Sequence, residues 1–187
     1  MVLGSTEMVA LLGICGSMRK ASLNRALLDA VAETLPAHAR MTQVDSLDLP
    51  IFNSDLEDPP AVVQLKAAIA AADGVVFGVP EYNYSIPGGL KNALDWVSRP
   101  PKLSPLIRKP IGMVGAATGM SGTIRAQSHL RQMMLYSDSP CLGQPEVLIP
   151  RAHERFAADG QLLDASTRVL LELFGAAMVA FVERCRI

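Results

Sequence analysis

Continuous apolar stretches, rather than alternating ones, mark the positions where the chain is predicted to form strands covered on both faces. The two strongest lie at residues 8–14 and 74–79. Pro80 ends the second of them, because proline has no N–H to donate to a central strand pairing. Weaker stretches lie at residues 41–44, 110–116 and 146–149. The pattern therefore predicts five strands.

Apolar residues recur at three- and four-residue intervals after each of these stretches, which predicts a helix after every strand. Ser22 is a candidate N-cap of the first helix, and Pro36 stops it. A Pro- and Asp-rich segment at 48–60 is predicted to be a loop. The last helix is apolar almost all round, so it is either deeply packed or part of a subunit contact. The predicted helices cover residues 23–35, 61–72, 90–97, 123–136 and 165–183.

Regular alternation of strand and helix predicts the fold class. Each crossover between parallel strands is right-handed and covers one face of the sheet, so helices lie on both faces. Five such units indicate an α/β, flavodoxin-like three-layer sandwich, with a five-stranded parallel sheet of order 2-1-3-4-5. A chain of 187 residues without an internal linker is expected to form a single domain over residues 1–187.

Amino-acid composition disfavours several classes of function. Half the residues are hydrophobic and 19% are charged, as in a globular protein with a real core. The net charge of −1, without a long run of Lys or Arg, disfavours nucleic acid as a partner. The cysteines Cys15, Cys141 and Cys185 lie far apart, which favours a reducing, cytoplasmic setting. The apolar stretch near the N-terminus is too short for a signal peptide or membrane insertion.

The loop between the first strand and the first helix carries candidate anion-binding groups. In this fold, ligands bind where the strand order reverses, here between strands 1 and 3. The loop offers the hydroxyls of Ser17 and Ser22, the Asn24 amide and the Arg19 charge. It also offers the unpaired amides of a helix N-terminus. This set suits a phosphate monoester, and the alternative is an ordinary strand-to-helix loop with a capping serine.

Other phosphate motifs fit this loop poorly. A P-loop requires Gly-Lys-Ser/Thr, but Ser17 and Met18 follow Gly16. A dinucleotide turn requires three glycines, and only Gly13 and Gly16 are present. A phosphoacceptor domain would need an acidic pair after strand 1, where Cys15 and Gly16 stand. Triphosphates, tightly bound NAD and phosphoacceptor chemistry are therefore disfavoured.

Two further loops are expected to face the same cleft. The segment after strand 3 is polar, aromatic and rich in glycine, and Tyr82 with the backbone of Pro80 to Asn83 could support a flat ring. The loop at residues 116–122 contains small residues that could approach that ring. No acid-base or metal-ligand pattern accompanies them, since His38, His129 and His153 lack ligand spacing. Cys15 is interpreted as a small buried filler.

These motifs together resemble the NADPH-dependent FMN reductase family, in its chromate and quinone reductase branch. The resemblance rests on Gly16-Ser17-x-Arg19-x-x-Ser22-x-Asn24, Pro80-Glu81-Tyr82-Asn83 and Leu90-Lys91-Asn92-Ala93-Leu94-Asp95, and extends through Arg125-Ala126-Gln127. It implies FMN as the bound cofactor and NAD(P)H as co-substrate. The implied FMN-binding residues are Ser17, Arg19, Ser22, Leu23, Asn24, Pro80, Glu81, Tyr82, Asn83, Ala117 and Gly119. Two departures stand out: Gly122-Thr123 replaces a glycine pair, and Ala116-Ala117 replaces serines.

The resemblance implies ping-pong hydride transfer from NAD(P)H through FMN to quinones, with chromate, ferric complexes and azo compounds as further acceptors. It also implies a homodimer or homotetramer in which Arg125 and Glu146 meet near the flavin across subunits; a solvated arginine and glutamate are the alternative. Two other functions stay open at this point. One is a flavin reductase that releases reduced FMN, and the other is a non-enzymatic electron carrier of the flavodoxin type.

Overall fold

The computed structural model describes residues 7–44 and 46–186, and its centre is a parallel sheet of five strands. The strand order is β2-β1-β3-β4-β5, which confirms the predicted 2-1-3-4-5. All four neighbouring pairs are parallel. The strands are β1 (Val9–Cys15), β2 (Ala39–Gln43), β3 (Gly74–Gly78), β4 (Ile111–Ala116) and β5 (Val147–Ile149).

Helices cover both faces of this sheet and complete the three-layer sandwich. The α-helices are α1 (Leu23–Glu33), α2 (Pro60–Ala71), α3 (Gly88–Val97), α4 (Ile124–Met134) and α5 (Ala165–Cys185). Val76, Val114 and other residues of one sheet face pack against α1 and α5. Phe77, Met113 and others of the opposite face pack against α2, α3 and α4. The segment at 48–60 forms no strand and enters α2 only at Pro60, as predicted.

Element boundaries differ from the predicted ones by a few residues, for local reasons. β2 begins two residues early, because it is an edge strand whose side chains alternate between half-buried and exposed. α1 ends at Glu33, where the Thr34 hydroxyl and amide bond the carbonyls of Ala30 and Val31 before Pro36. α4 ends at Met134 and continues as one 3₁₀ turn to Ser137.

α5 is both packed and partly uncovered. Leu171, Phe174 and Met178 are fully buried against the sheet, whereas Val169 and Leu173 on the other side are exposed. By length and composition alone this helix could cross a membrane, but core helices pass the same test. Its buried face packs against strand residues such as Val9 and Val114, so α5 acts here as a core helix of the sandwich.

Candidate functional site

A cleft of about 290 Å³ opens at the carboxyl ends of β1, β3 and β4, where the strand order reverses. It contains every residue of the predicted flavin site except Asn83, which lies exposed in the adjoining turn. Ala116, Thr118 and Ser121 were not predicted as individual site residues, although their loop was. The lining residues are Ser17, Arg19, Ser22, Leu23, Asn24, Pro80, Glu81, Tyr82, Ala116, Ala117, Thr118, Gly119 and Ser121.

One end of the cleft presents free hydrogen-bond donors and a positive charge. Ser22 caps α1 as predicted, and its Oγ accepts from the Arg25 amide at 3.3 Å. The amides of Leu23 and Asn24 have no hydrogen-bond acceptor within the described residues, so the helix presents two free donors. The exposed Arg19 guanidinium forms no ion pair in residues 7–44 and 46–186. Two free donors and an unpaired cation therefore lie along the same end of the cleft.

The Asn24 side chain has a role that the sequence did not reveal. Its Nδ2 donates to the Ala116 carbonyl at 2.9 Å, and its Oδ1 accepts from the Ala116 amide at 2.9 Å. This buried reciprocal pair fastens the start of α1 to the end of β4, so it holds two walls of the cleft together. The side-chain amide is thus occupied by backbone, so the main-chain N–H is the Asn24 donor that remains free.

Residues 82–85 form a two-residue hairpin along the cleft rim. Tyr82 and Ser85 exchange two backbone hydrogen bonds of 3.0 Å. Asn83 and Tyr84 have φ of +50° and +64°, as in a type I′ turn. Asparagine tolerates this conformation, whereas a tyrosine there is strained. The strain requires external contacts to hold the turn in place.

Glu81 lies just before the hairpin, and its side chain caps α4, which ties the start of the hairpin to that helix. Its side chain is only 7% exposed and accepts from the Arg125 guanidinium at 2.8 Å. It also accepts from the Arg125 and Ala126 amides, which the Thr123 side chain leaves uncapped. Burial raises the pKa of Glu81, but these hydrogen bonds outweigh it and the net pKa lies below its usual value. Glu81 is therefore a charged anchor between β3 and α4.

Two side chains of α4 contact the hairpin. The Arg125 guanidinium stacks 4.2 Å from the centre of the Tyr84 ring. The His129 Nδ1 lies 3.0 Å from the Ser85 Oγ. Arg125 thus has partners within its own chain, whereas the exposed Glu146 carboxylate has no ion pair among the described residues. The meeting of Arg125 and Glu146 across subunits stays a prediction.

The third wall of the cleft is the turn from β4 into α4. The Ala117 amide donates to the Ile149 carbonyl at 3.0 Å, and its carbonyl accepts from the Ala152 amide at 2.9 Å, so both backbone groups of this lining residue are already paired. Gly122 and Thr123 follow with φ of +56° and +73°. Thr123 is fully buried, and a β-branched residue in this conformation is rare. The sequence pointed to this position only as a departure from a glycine pair.

The cleft contains no metal cluster or nucleophilic side-chain set. Within residues 7–44 and 46–186, no three His, Cys, Asp or Glu residues converge as metal ligands. Cys15 is buried, as predicted, with its Sγ 3.7 Å from the Ser22 Oγ. Free donors at one end and small residues along the β4 loop suit a phosphorylated, flat molecule.

Fold and cleft together define a class, the flavodoxin-like proteins that bind a phosphorylated flavin at the carboxyl edge of a parallel sheet. Within that class, the family profile of the NADPH-dependent FMN reductases matches residues 9–154. The chain belongs to this family.

Relatives and solved structures agree with this family over nearly the whole chain. An NAD(P)H-dependent FMN reductase from Pseudomonas aeruginosa is 42% identical, covering 95% of this chain and 97% of its own. A 2-hydroxy-1,4-benzoquinone reductase from Burkholderia is 39% identical, covering 93% and 96%. The structure of FerB, an NAD(P)H:(acceptor) oxidoreductase from Paracoccus denitrificans, aligns with a TM-score of 0.86 at 33% identity, over 95% of this chain and 98% of FerB.

The chain is accordingly an FMN-dependent NAD(P)H:acceptor oxidoreductase, with FMN as cofactor and NAD(P)H as electron donor. This confirms the predicted enzyme class over the non-enzymatic electron carrier.

Proposed function

We propose that the FMN phosphate binds at the start of α1 and that the flavin ring lies between the β3 and β4 loops. The observation that carries this placement is the pair of unbonded Leu23 and Asn24 amides beside the unpaired Arg19. Ser17 and Ser22 add hydroxyls at the same end. The ring would rest against Pro80, Glu81, Tyr82 and Asn83 on one side and against Ala117 and Gly119 on the other. A Cβ on Gly119 would have nothing within 4 Å, so the backbone leaves room there.

The residues present fit this cofactor and leave the chemistry to it. When bound, FMN accepts a hydride from NAD(P)H and passes two electrons to an acceptor. The protein fixes the phosphate with Arg19 and amide donors, and its small loop residues allow close approach to the ring. A ring seated in this cleft would expose one face, which donor and acceptor would use in turn.

The acceptor that we propose is a quinone, which two electrons and two protons convert to the hydroquinone. The name of the Burkholderia relative gives a benzoquinone as its substrate, which supports this choice. A planar quinone would lie over the flavin beside the half-exposed Tyr82 and the exposed Met120. Reduction of chromate, ferric complexes and azo compounds stays a prediction from family resemblance. Release of reduced FMN to another enzyme is the second candidate, because the Pseudomonas relative is named an FMN reductase.

Spectra and kinetics of the purified protein test this function directly. The FMN-loaded protein is expected to lose its visible flavin absorbance on anaerobic addition of NADPH and to regain it on addition of a benzoquinone. Initial rates should give parallel double-reciprocal lines, because NAD(P)⁺ leaves before the quinone enters. Intersecting lines would show a ternary complex and contradict the shared face. Flavin lost during dialysis of the reduced protein would favour the FMN-releasing alternative.

Removing the Arg19 charge is expected to weaken FMN binding roughly tenfold, because a charge-assisted contact to phosphate is lost. Fluorescence titration of FMN into the Arg19→Ala protein measures this. Riboflavin, which lacks the phosphate, should bind the variant and the parent protein equally. Arg40→Ala is the matched control, since Arg40 is an exposed arginine on the edge strand β2 outside the cleft. Unchanged FMN affinity in Arg19→Ala would remove this residue from the site.

A homodimer or homotetramer in the cytoplasm is part of the same proposal. The exposed Val169 and Leu173 on α5 and the unpaired Glu146 carboxylate support a subunit contact. Three cysteines without a disulfide among the described residues support a reducing compartment.

A further inference from the structure

Two neighbouring residues of the β1–α1 loop reach different cavities. Arg19 lines the cleft, whereas Lys20 lines a second depression of about 730 Å³, here called the outer groove. The outer groove runs between the start of α1 and residues 153–160. Lys20, Asp29, Phe156, Ala157, Ala158 and Asp159 are among its lining residues.

The outer groove continues the cleft. Ser22 and Leu23 line both cavities, so the two cavities adjoin at the α1 N-terminus. Two other depressions on the part of the chain that the structure describes lack this connection. One of about 200 Å³ beside Lys91 and Tyr136 shares no lining residue with the cleft, and neither does one of about 360 Å³ beside Arg131 and Cys141.

The charges along this path suit a ligand with a second anionic group. Neither Arg19 nor Lys20 forms an ion pair within residues 7–44 and 46–186, although the whole chain has a net charge of −1. Once a cofactor phosphate occupies Arg19, Lys20 is the adjacent cation still available. A second anion on the groove side would therefore meet an unpaired lysine.

The rest of the groove suits a nucleoside. Ala157 and Ala158 give an apolar surface, here called the shelf, against which a flat base can pack. Asp29 and Asp159 can accept from ribose hydroxyls through Oδ2, because Gln43 Nε2 at 2.6 Å and the Gln161 amide at 3.0 Å bond only their Oδ1 atoms. A small quinone would use neither the shelf nor the lysine.

We propose that the outer groove binds the adenosine half of NAD(P)H, with one of its phosphates on Lys20. The reaction requires the nicotinamide to reach the FMN ring in the cleft, which is too small to hold the rest of the dinucleotide as well. The adenosine end then extends out of the cleft, and the outer groove that adjoins it at Ser22 has room for it. This inference rests on the FMN placement proposed above.

Adenosine fragments test the groove without catalysis. Calorimetric titration of adenosine 2′,5′-bisphosphate and of ADP into the FMN-loaded protein should show binding of at least one of them. Lys20→Ala should weaken that binding roughly fivefold, the upper end for an exposed ion pair. If Lys20→Ala weakens binding of the bisphosphate alone, Lys20 contacts the 2′-phosphate of NADPH. If it weakens binding of both fragments, Lys20 contacts a 5′-phosphate. The KM for the nucleotide should rise in parallel, while the KM for the quinone stays unchanged.

A second variant and a control complete the design. Ala158→Trp should fill the groove and weaken both fragments, because Ala158 is exposed at its edge. Lys102→Ala is the control, since Lys102 is an exposed lysine that lines neither cavity. Fragment binding unaffected by both Lys20→Ala and Ala158→Trp, in protein that still binds FMN, would overturn the inference. Failure to bind FMN at all would instead overturn the proposed function.

Discussion

Replacing Gly115 by alanine is expected to lower the free energy of unfolding by about 3 kcal/mol, the upper end for an overpacked core. A Cβ on Gly115 would lie 1.7 Å from the Thr123 Oγ1 and 2.9 Å from its Cβ. Thr123 cannot withdraw, because it is fully buried and its backbone is held at φ +73°. Urea denaturation of the two proteins measures the loss, and FMN affinity should fall with it because this turn forms a cleft wall.

The same geometry predicts a rescue. Thr123→Gly removes the colliding hydroxyl and places a residue that adopts positive φ without strain. The double variant Gly115→Ala/Thr123→Gly should therefore recover most of the lost stability. Recovery stays incomplete, because the Gln127 Nε2 would also lie 2.8 Å from the new Cβ.

Gly143→Ala is the matched control for this series. A Cβ on Gly143 has nothing within 4 Å, so its stability should change little. A Gly115→Ala protein as stable as its parent, or a double variant no more stable than the single one, would contradict the proposed packing of Thr123 over β4.

The sheet could be predicted from sequence because a strand that is buried on both faces has a continuous apolar sequence. Residues of β1 and β3 are apolar without interruption, and no long-range information is needed to detect that. The cleft followed from the same prediction, since strand order alone determines where neighbouring loops diverge. The edge strand β2 was placed less accurately, because its outward residues are polar and its pattern is short.

The polar contacts that hold the cleft together have no such local pattern in the sequence. Asn24 bonds Ala116 across 92 positions of the chain, and Glu81 bonds Arg125 across 44. In a sequence, each side chain looks like a ligand-binding group of its own loop. Only the fold shows that Asn24 is paired with the Ala116 backbone and Glu81 with the Arg125 charge. The positive φ of Tyr84 was equally hidden, because the hairpin is held by α4 rather than by its own residue types.

Glu81→Gln is expected to lower the free energy of unfolding at neutral pH by about 2 kcal/mol, as for loss of a charged hydrogen-bond acceptor. The amide cannot pair with the Arg125 guanidinium as a charge, and it caps the α4 amides more weakly. The hairpin that follows Glu81 should become mobile, because its strained Tyr84 stacks on that same Arg125. Urea denaturation measures the stability, and amide hydrogen exchange of residues 82–85 measures the mobility.

The pH dependence separates the charge from the shape of this side chain. The pKa of Glu81 is lowered in the folded protein, so its contribution is complete above the usual glutamate pKa of 4.5 and is lost as the pH falls through the folded value. The difference between parent and Glu81→Gln should therefore be full at neutral pH and shrink in acid. Glu172→Gln, an exposed glutamate on α5, should show no comparable difference. A gap that persists unchanged in acid would mean that packing, and not the carboxylate charge, anchors β3 to α4; the hairpin would then depend on the contact between Ser85 and His129.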